Sequence, residues 1–246
     1  MPEPQKFHIG LIDLFSVWLP GALLTYVLQW DLQPCLDALG YPRPRAGIES
    51  WAVFLFVSYL AGHFIFVLGS LLLDPLDKHV RKAGEKAWEE LKLKRSGKAT
   101  VRDNETSPFL RRLSGHLFDE HDWEALDRIR SLKREHLSRV QADPTMNSFQ
   151  WSKARLALGH SEALASVQRF EADSKFFRSL CVVLAILMLW SLAWWRWPLG
   201  LVALALLPGA LWRFMELRGK SVSQAYWFVL SLEADPVAGE KTASGA

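Results

Sequence analysis

Eleven arginines and five histidines fall between residues 74 and 175, and these side chains are the ones best suited to phosphate and acid–base chemistry. Three Arg–His pairs have four or five residues between their members: Arg111/His116, Arg130/His136 and Arg155/His160. Only Arg130 is followed by a small polar residue, Ser131. In so Arg- and His-rich a segment, one or two such spacings arise from composition alone. His121-Asp122, with His116 and Asp127 nearby, has the residue types of a metal pair. An acidic first helical turn explains Asp119, Glu120, Asp122 and Glu124 more simply, through the helix dipole. Gly-rich phosphate loops, nucleophile elbows and metalloprotease helix motifs are absent from the sequence, so no cofactor and no metal are implied. Two Cys exclude a disulfide framework and a four-Cys zinc site. Basic and acidic residues alternate, which reads as a solvated face and indicates no nucleic acid partner.

The elements that must position these residues follow from how charge is distributed. Residues 74–175 hold 20 of the 29 Lys+Arg and 17 of the 26 Asp+Glu, while half of the whole chain is hydrophobic. Four flanking stretches are therefore nearly free of charge: residues 11–30, 51–73, 176–195 and 198–215. A bilayer core needs about 20 helical residues, and these lengths predict four transmembrane helices in two hairpins. Trp30, Trp51, Trp194, Trp195 and Trp197 gather at one set of ends, as interfacial aromatics do. Lys78, Arg81, Lys82, Lys175, Arg213, Arg218 and Lys220 gather at the other. The positive-inside rule then places both termini and residues 74–175 in the cytoplasm of a bacterial inner membrane. Asp13 and the lack of an Ala-x-Ala site argue that the first stretch is a retained span and not a signal peptide. Gln33-Pro34 ahead of Cys35 argues against lipid attachment there.

The predicted fold is an all-α integral membrane protein with an inserted helical cytosolic module. Its parts are a first hairpin (1–73), the module (74–175), a second hairpin (176–215) and a cytosolic tail (216–246) with a disordered end. Leu76, Val80, Ala83, Ala87 and Leu91 continue the second span as an amphipathic helix that Ser96-Gly97 ends. Ser107-Pro108 starts the next helix, with the hydroxyl as cap. A longer helix over 122–141 carries Trp123, Leu126, Ile129, Leu132, Leu137 and Val140, and Asp143-Pro144 breaks it. A short helix near 149–158 follows, and Ser161 opens one that runs into the third span. Residues 225–232 are apolar but too short to cross a bilayer, so they rest at the interface or on the module.

Polar and helix-interrupting residues inside the spans are the candidate sites for gating or packing: His63, Pro20, Gly21, Pro208 and Gly209. Proline frees a backbone carbonyl, and His63 is predicted to lie at the depth of Pro20 and donate to it. Leu19-Pro20-Gly21-Ala22-Leu23 recurs as Leu207-Pro208-Gly209-Ala210-Leu211, which predicts two kinked helices running in opposite directions. Ser58, Ala61, Gly62 and Gly69 form a small-residue stripe suited to close helix approach, within one chain or between copies. Arg178 is close enough to a span end to snorkel.

Two resemblances add expectations. Arg130 and His136 resemble the Arg-x4–6-His pair of helical RNases of the HEPN class, which implies a membrane-tethered RNase as one alternative. Ile12-Asp13-Leu14-Phe15-Ser16 followed by Leu19-Pro20-Gly21, with two spans, a helical module and two more spans, resembles small bacterial membrane proteins. Some of those lie beside antiviral defence genes. That likeness implies a homo-oligomeric defence-type effector that permeabilises the membrane when a small ligand or a cytosolic protein partner acts on the module. The sequence departs from it in having no recognisable nucleotide-sensing domain, which leaves the trigger open. The function expected is therefore a non-enzymatic membrane protein whose module receives a signal and whose spans respond. The other alternative is a passive scaffold that recruits a cytosolic enzyme.

Overall fold

In the computed structural model, residues 16–29, 31, 33, 38, 47–97, 107–137 and 146–234 are described. Asp13, Cys35, Asp143-Pro144 and the tail end beyond residue 234 lie outside them. The described residues are almost entirely helical, with short turns between the helices and no strand among them. We number the helices α1 (16–29), α2 (Ile48–Arg95), α3 (Pro108–Leu117), α4 (Glu120–His136), α5 (Ser148–Ala157), α6 (Ser161–Ala193) and α7 (Trp197–Ala234).

Among the described residues three helices, not four, are long and apolar enough to cross a membrane: α2, α6 and α7. The first expected span is helical over 16–29 among the described residues, short of the roughly 20 that a bilayer core requires. The residues ahead of it, 11–15, lie outside the described set.

The chain divides into two compact units, Met1–Pro75 with Glu171–Leu217 and Leu76–Phe170 with Arg218–Ala246. Helices α2, α6 and α7 each contribute to both. The first unit has a core of Ile65, Val183, Leu184, Leu187, Ala203 and Ala210, with Leu24, Val27 and Leu28 of α1 packed on it. Its outer face is as apolar as its core: Phe56, Phe64, Leu71 and Leu72 of α2, Leu189 and Leu192 of α6, and Leu201 and Val202 of α7 are exposed. Such a surface suits a lipid environment, because keeping this much contiguous apolar area in water is costly.

Small residues set the closest approach in this unit. A Cβ on Gly21 would fall 2.5 Å from the backbone nitrogen of Gly62 and nearer still to the Ser58 carbonyl oxygen. A Cβ on Gly62 would meet the Val17 carbonyl in turn. The small-residue stripe of α2 is thus spent inside the chain: Ser58 and Gly62 against α1, and Gly69 against the Arg178 side chain.

Two polar clamps complete the first unit. Arg178 does not snorkel. Its side chain is only 9% exposed, donates to both carboxylate oxygens of Asp74 at 2.8 and 3.1 Å, and lies over the Phe66 ring. Asp31, at 5% side-chain exposure, accepts from Trp190 Nε1 at 3.0 Å and pairs with Arg196 at 2.7 Å. The α6–α7 turn closes with the amide of Arg196 donating to the Ser191 carbonyl, and Trp195 takes the left-handed conformation, φ 58°. That is a Schellman-type helix end with Trp where glycine is usual.

The second unit is built from the charged segment and the last part of α7. Ala125, Ile129, Phe149, Trp151, Leu156 and Val167 bury themselves against Val222, Ala225, Tyr226 and Val229. The apolar tail therefore docks on the module, because α7 runs unbroken to Ala234 and keeps one apolar face. Trp88, Phe118 and Trp123 form a smaller cluster. It packs at Gly84, where a Cβ would fall 2.5 Å from Trp123 Cζ2. Helix α2 ends at Arg95, and Gly97 takes φ 70° just beyond it. Pro108 starts α3, but the Ser107 hydroxyl makes no capping bond. Asp119 and Asp122 form a reciprocal capping box that starts α4 at Glu120.

A cation-lined cavity as the candidate functional site

The second unit carries a half-open cavity of about 510 Å³, within the range of small-molecule sites. Helical spacing puts its lining in place. Arg81 and Glu85 are one turn apart on α2, as are Asp122, Leu126, Arg130 and Arg134 along α4 and Arg218, Val222 and Tyr226 along α7. Asn147, Ser148 and Phe149, where α5 begins, supply the remaining wall. Five cations face the cavity (Arg81, Arg130, Lys133, Arg134 and Arg218) against two carboxylates, Glu85 and Asp122.

Both carboxylates are already committed. Glu85 pairs with Arg130. Asp122 accepts from the Asp119 amide at 3.1 Å and from Trp227 Nε1 at 3.2 Å. Asp122 thus serves as a cap and as a cross-helix acceptor, while His121 Nδ1 lies 3.6 Å from the Glu124 carboxylate. Asp77, just outside the lining, is shared: Arg81 Nε donates to it at 3.1 Å and Arg218 Nε stands 3.8 Å away. Aromatic rings hold these guanidinium groups, with Arg81 over Phe118 at 6.0 Å and Arg218 over Phe149 at 5.4 Å.

Lys133 is the unusual member. It is 4% exposed, and among the described residues its hydrogen bond is to the Met146 carbonyl and not to a carboxylate. A buried ammonium without a counter-charge is costly. Burial pushes the Tyr226 hydroxyl up to about 12, against the pull of Arg81 and Arg130, so it stays a neutral hydrogen-bond donor at the cavity wall.

The remaining sequence candidates are distributed differently. Arg130 lines the cavity, but His136 is exposed, with Nδ1 2.9 Å from the Leu132 carbonyl and its ring 6.0 Å from Trp151. Six residues along one helix set the two side chains about 120° apart, so the fold does not bring them together. His63 is exposed and rests edge-on against Tyr59 at 4.5 Å, while it is Ser58 and Gly62 that meet Gly21. The predicted His63–Pro20 pairing is replaced by backbone packing. Pro20 is fully buried, whereas Pro208 is exposed and a Cβ added to Gly209 would have nothing within 4 Å. The two Leu-Pro-Gly-Ala-Leu copies are thus structurally unlike.

No known protein family, curated protein or solved structure matches this chain.

The site rests on one signal that was present in the sequence. Lys133 stands one turn from Ile129 and two turns from Leu126, inside the apolar stripe of α4. A cation at a core position of an amphipathic helix marks a buried charge. The contributions of Arg218 and Tyr226 carried no such signal, since only the docking of α7 on the module brings them to the cavity.

Proposed function

We propose that this chain is a membrane-embedded receiver. Its helical module binds a small anionic ligand in the cation-lined cavity, and its membrane helices respond. In this reading four spans, counting the one that contains α1, lie in a bacterial inner membrane with the module and both termini cytoplasmic. The protein acts by binding and not by catalysis. The observation that carries the reading is the buried Lys133 in a cavity where cations outnumber carboxylates five to two. With Asp77 shared by Arg81 and Arg218 and Glu85 paired to Arg130, the lining keeps a net positive field that favours an anion. Its walls include α2 and α7, helices whose other parts are candidate spans, so a ligand that draws these helices together acts on elements continuous with the membrane part.

The test uses the full chain in neutral detergent at fixed ionic strength, followed by intrinsic Trp fluorescence on heating. Small polyanions, pyrophosphate and citrate among them, raise the unfolding midpoint of the wild-type protein and leave Lys133→Met unmoved. If neither a small polyanion nor phosphatidic acid shifts the midpoint, the receiver role falls. Reporter fusions after Ser96 and Gly219 score cytoplasmic, and an exported reporter at Ser96 overturns the topology.

A further inference from the structure

Resting on the reading of the cavity as an anion receiver, we propose that its ligand carries a phosphoryl group, seated where the start of α5 meets Lys133. Three features of the cavity lining support this. First, α5 has ten residues, and its cap is the Asn147 side chain, which accepts from the Gln150 amide at 2.8 Å. The amides of Ser148 and Phe149 belong to the first turn, where a helix has no carbonyls of its own to offer, and both residues line the cavity. A helix start of this kind favours anions.

Second, Lys133 donates to the carbonyl of Met146, the residue immediately before that cap. The fold therefore sets a buried ammonium beside the positive end of a helix dipole, an arrangement that is unfavourable while no anion is present. Third, Arg81 grips Asp77 with both Nε, at 3.1 Å, and an outer nitrogen, at 2.9 Å, and Arg218 stands 3.8 Å from the same carboxylate, so two guanidinium groups at the cavity share one acid.

These features select the ligand class. A phosphate ester presents three acceptor oxygens and a charge of about −1.5 to −2 at neutral pH. That matches amides, an ammonium and guanidinium groups lining one cavity. One carboxylate brings two oxygens and a single charge, too few for the donors assembled here. A phosphoryl group also competes with Asp77 for Arg81 and Arg218, so that binding exchanges the α2–α7 link through Asp77 for one through the ligand.

Calorimetric titration of the full chain in detergent tests this. Pyrophosphate is the soluble probe, citrate the carboxylate control, and lipid nanodiscs containing phosphatidic acid the membrane-borne source. Pyrophosphate binds the wild-type protein at least about tenfold more tightly than citrate does. Lys133→Met and Arg218→Met each weaken pyrophosphate by about tenfold or more. Arg111→Met, whose side chain pairs with Glu90 away from the cavity, leaves it unchanged. A stabilising signal with phosphatidic acid but not with pyrophosphate supports the phosphoryl chemistry and assigns its source to the lipid headgroup. Equal binding of citrate and pyrophosphate overturns the phosphoryl proposal and leaves the anion receiver standing, whereas wild-type affinity in both Lys133→Met and Arg218→Met overturns the two together. If neither anion nor the lipid binds, both fall. Unchanged circular dichroism in the two variants separates lost binding from lost folding.

Discussion

Replacing Gly21 and Gly209 by Ala, one at a time, sets two identical pentapeptides in opposition. At Gly21 the new methyl meets backbone on every near side: the Ser58 carbonyl, and the nitrogen and Cα of Gly62 at 2.5 and 2.8 Å. Real Cβ contacts essentially never fall below 3.0 Å, so α1 must withdraw from α2 by more than about 0.5 Å, and no side chain can rotate to absorb it. Overpacking of this kind costs about 1–3 kcal/mol. The same withdrawal loosens Val17 against Gly62 and lengthens the 3.3 Å bond from Trp18 Nε1 to the Leu55 carbonyl. At Gly209 a methyl meets nothing within 4 Å, and Ala favours the helix over Gly by up to about 1 kcal/mol. Heating the purified full-length protein in detergent therefore lowers the midpoint of Gly21→Ala by several degrees, at about 2–4 °C for each kcal/mol. Gly209→Ala is unchanged or slightly raised. Equal responses from the two variants would refute the close approach of α1 to α2 and restore the equivalence of the two repeats.

Three further outcomes follow from local geometry. Trp195→Gly relieves a left-handed backbone that costs a bulky residue about 1–2 kcal/mol, so its detergent midpoint rises. Trp195→Ile lowers that midpoint, and a rise in both would dissociate the turn conformation from stability. In the Asp74–Arg178 pair the Arg is buried but Asp74 is 43% exposed, so removing the acid strands a desolvated charge while removing the base leaves one that water can reach. Asp74→Asn thus costs up to about 3–5 kcal/mol and Arg178→Met clearly less, and the reverse order in thermal unfolding would sink the asymmetry. Burial alone would raise the Asp127 carboxyl, but hydrogen bonds from Lys92 and Trp88 outweigh it and hold the group below the usual carboxylate range. Its stabilising contribution is then complete above the unfolded-state pKa and lost as pH falls through the lowered folded value. Asp127→Asn should flatten the acid limb of the stability profile, and an unaltered limb would show that other groups set it.

What the sequence determined by itself was everything that depends on local periodicity. Apolar runs of sufficient length specify α2, α6 and α7 as candidate spans, because helix formation and hydropathy need no distant partner. Continuity was equally local: Leu76 to Leu91 keep helical spacing after the second span, and nothing between Ser161 and the third span breaks the chain. Pro108 and Gly97 mark ends for reasons contained in their own backbones. Tertiary structure decided which face each helix turns toward which neighbour. Pro20-Gly21 and Pro208-Gly209 are the same residues, yet one pair is buried against α2 and the other exposed, since sequence spacing does not specify the partner. His63 has a helical position facing away from α1, and the small residues beside it take the contact that the imidazole was expected to make. Arg178 has an acid partner 104 residues away, which no local window reveals. The cavity is the fullest case. Arg81, Lys133 and Arg218 come from three helices, and their shared field exists only once α7 lays Val222, Tyr226 and Val229 on the module core.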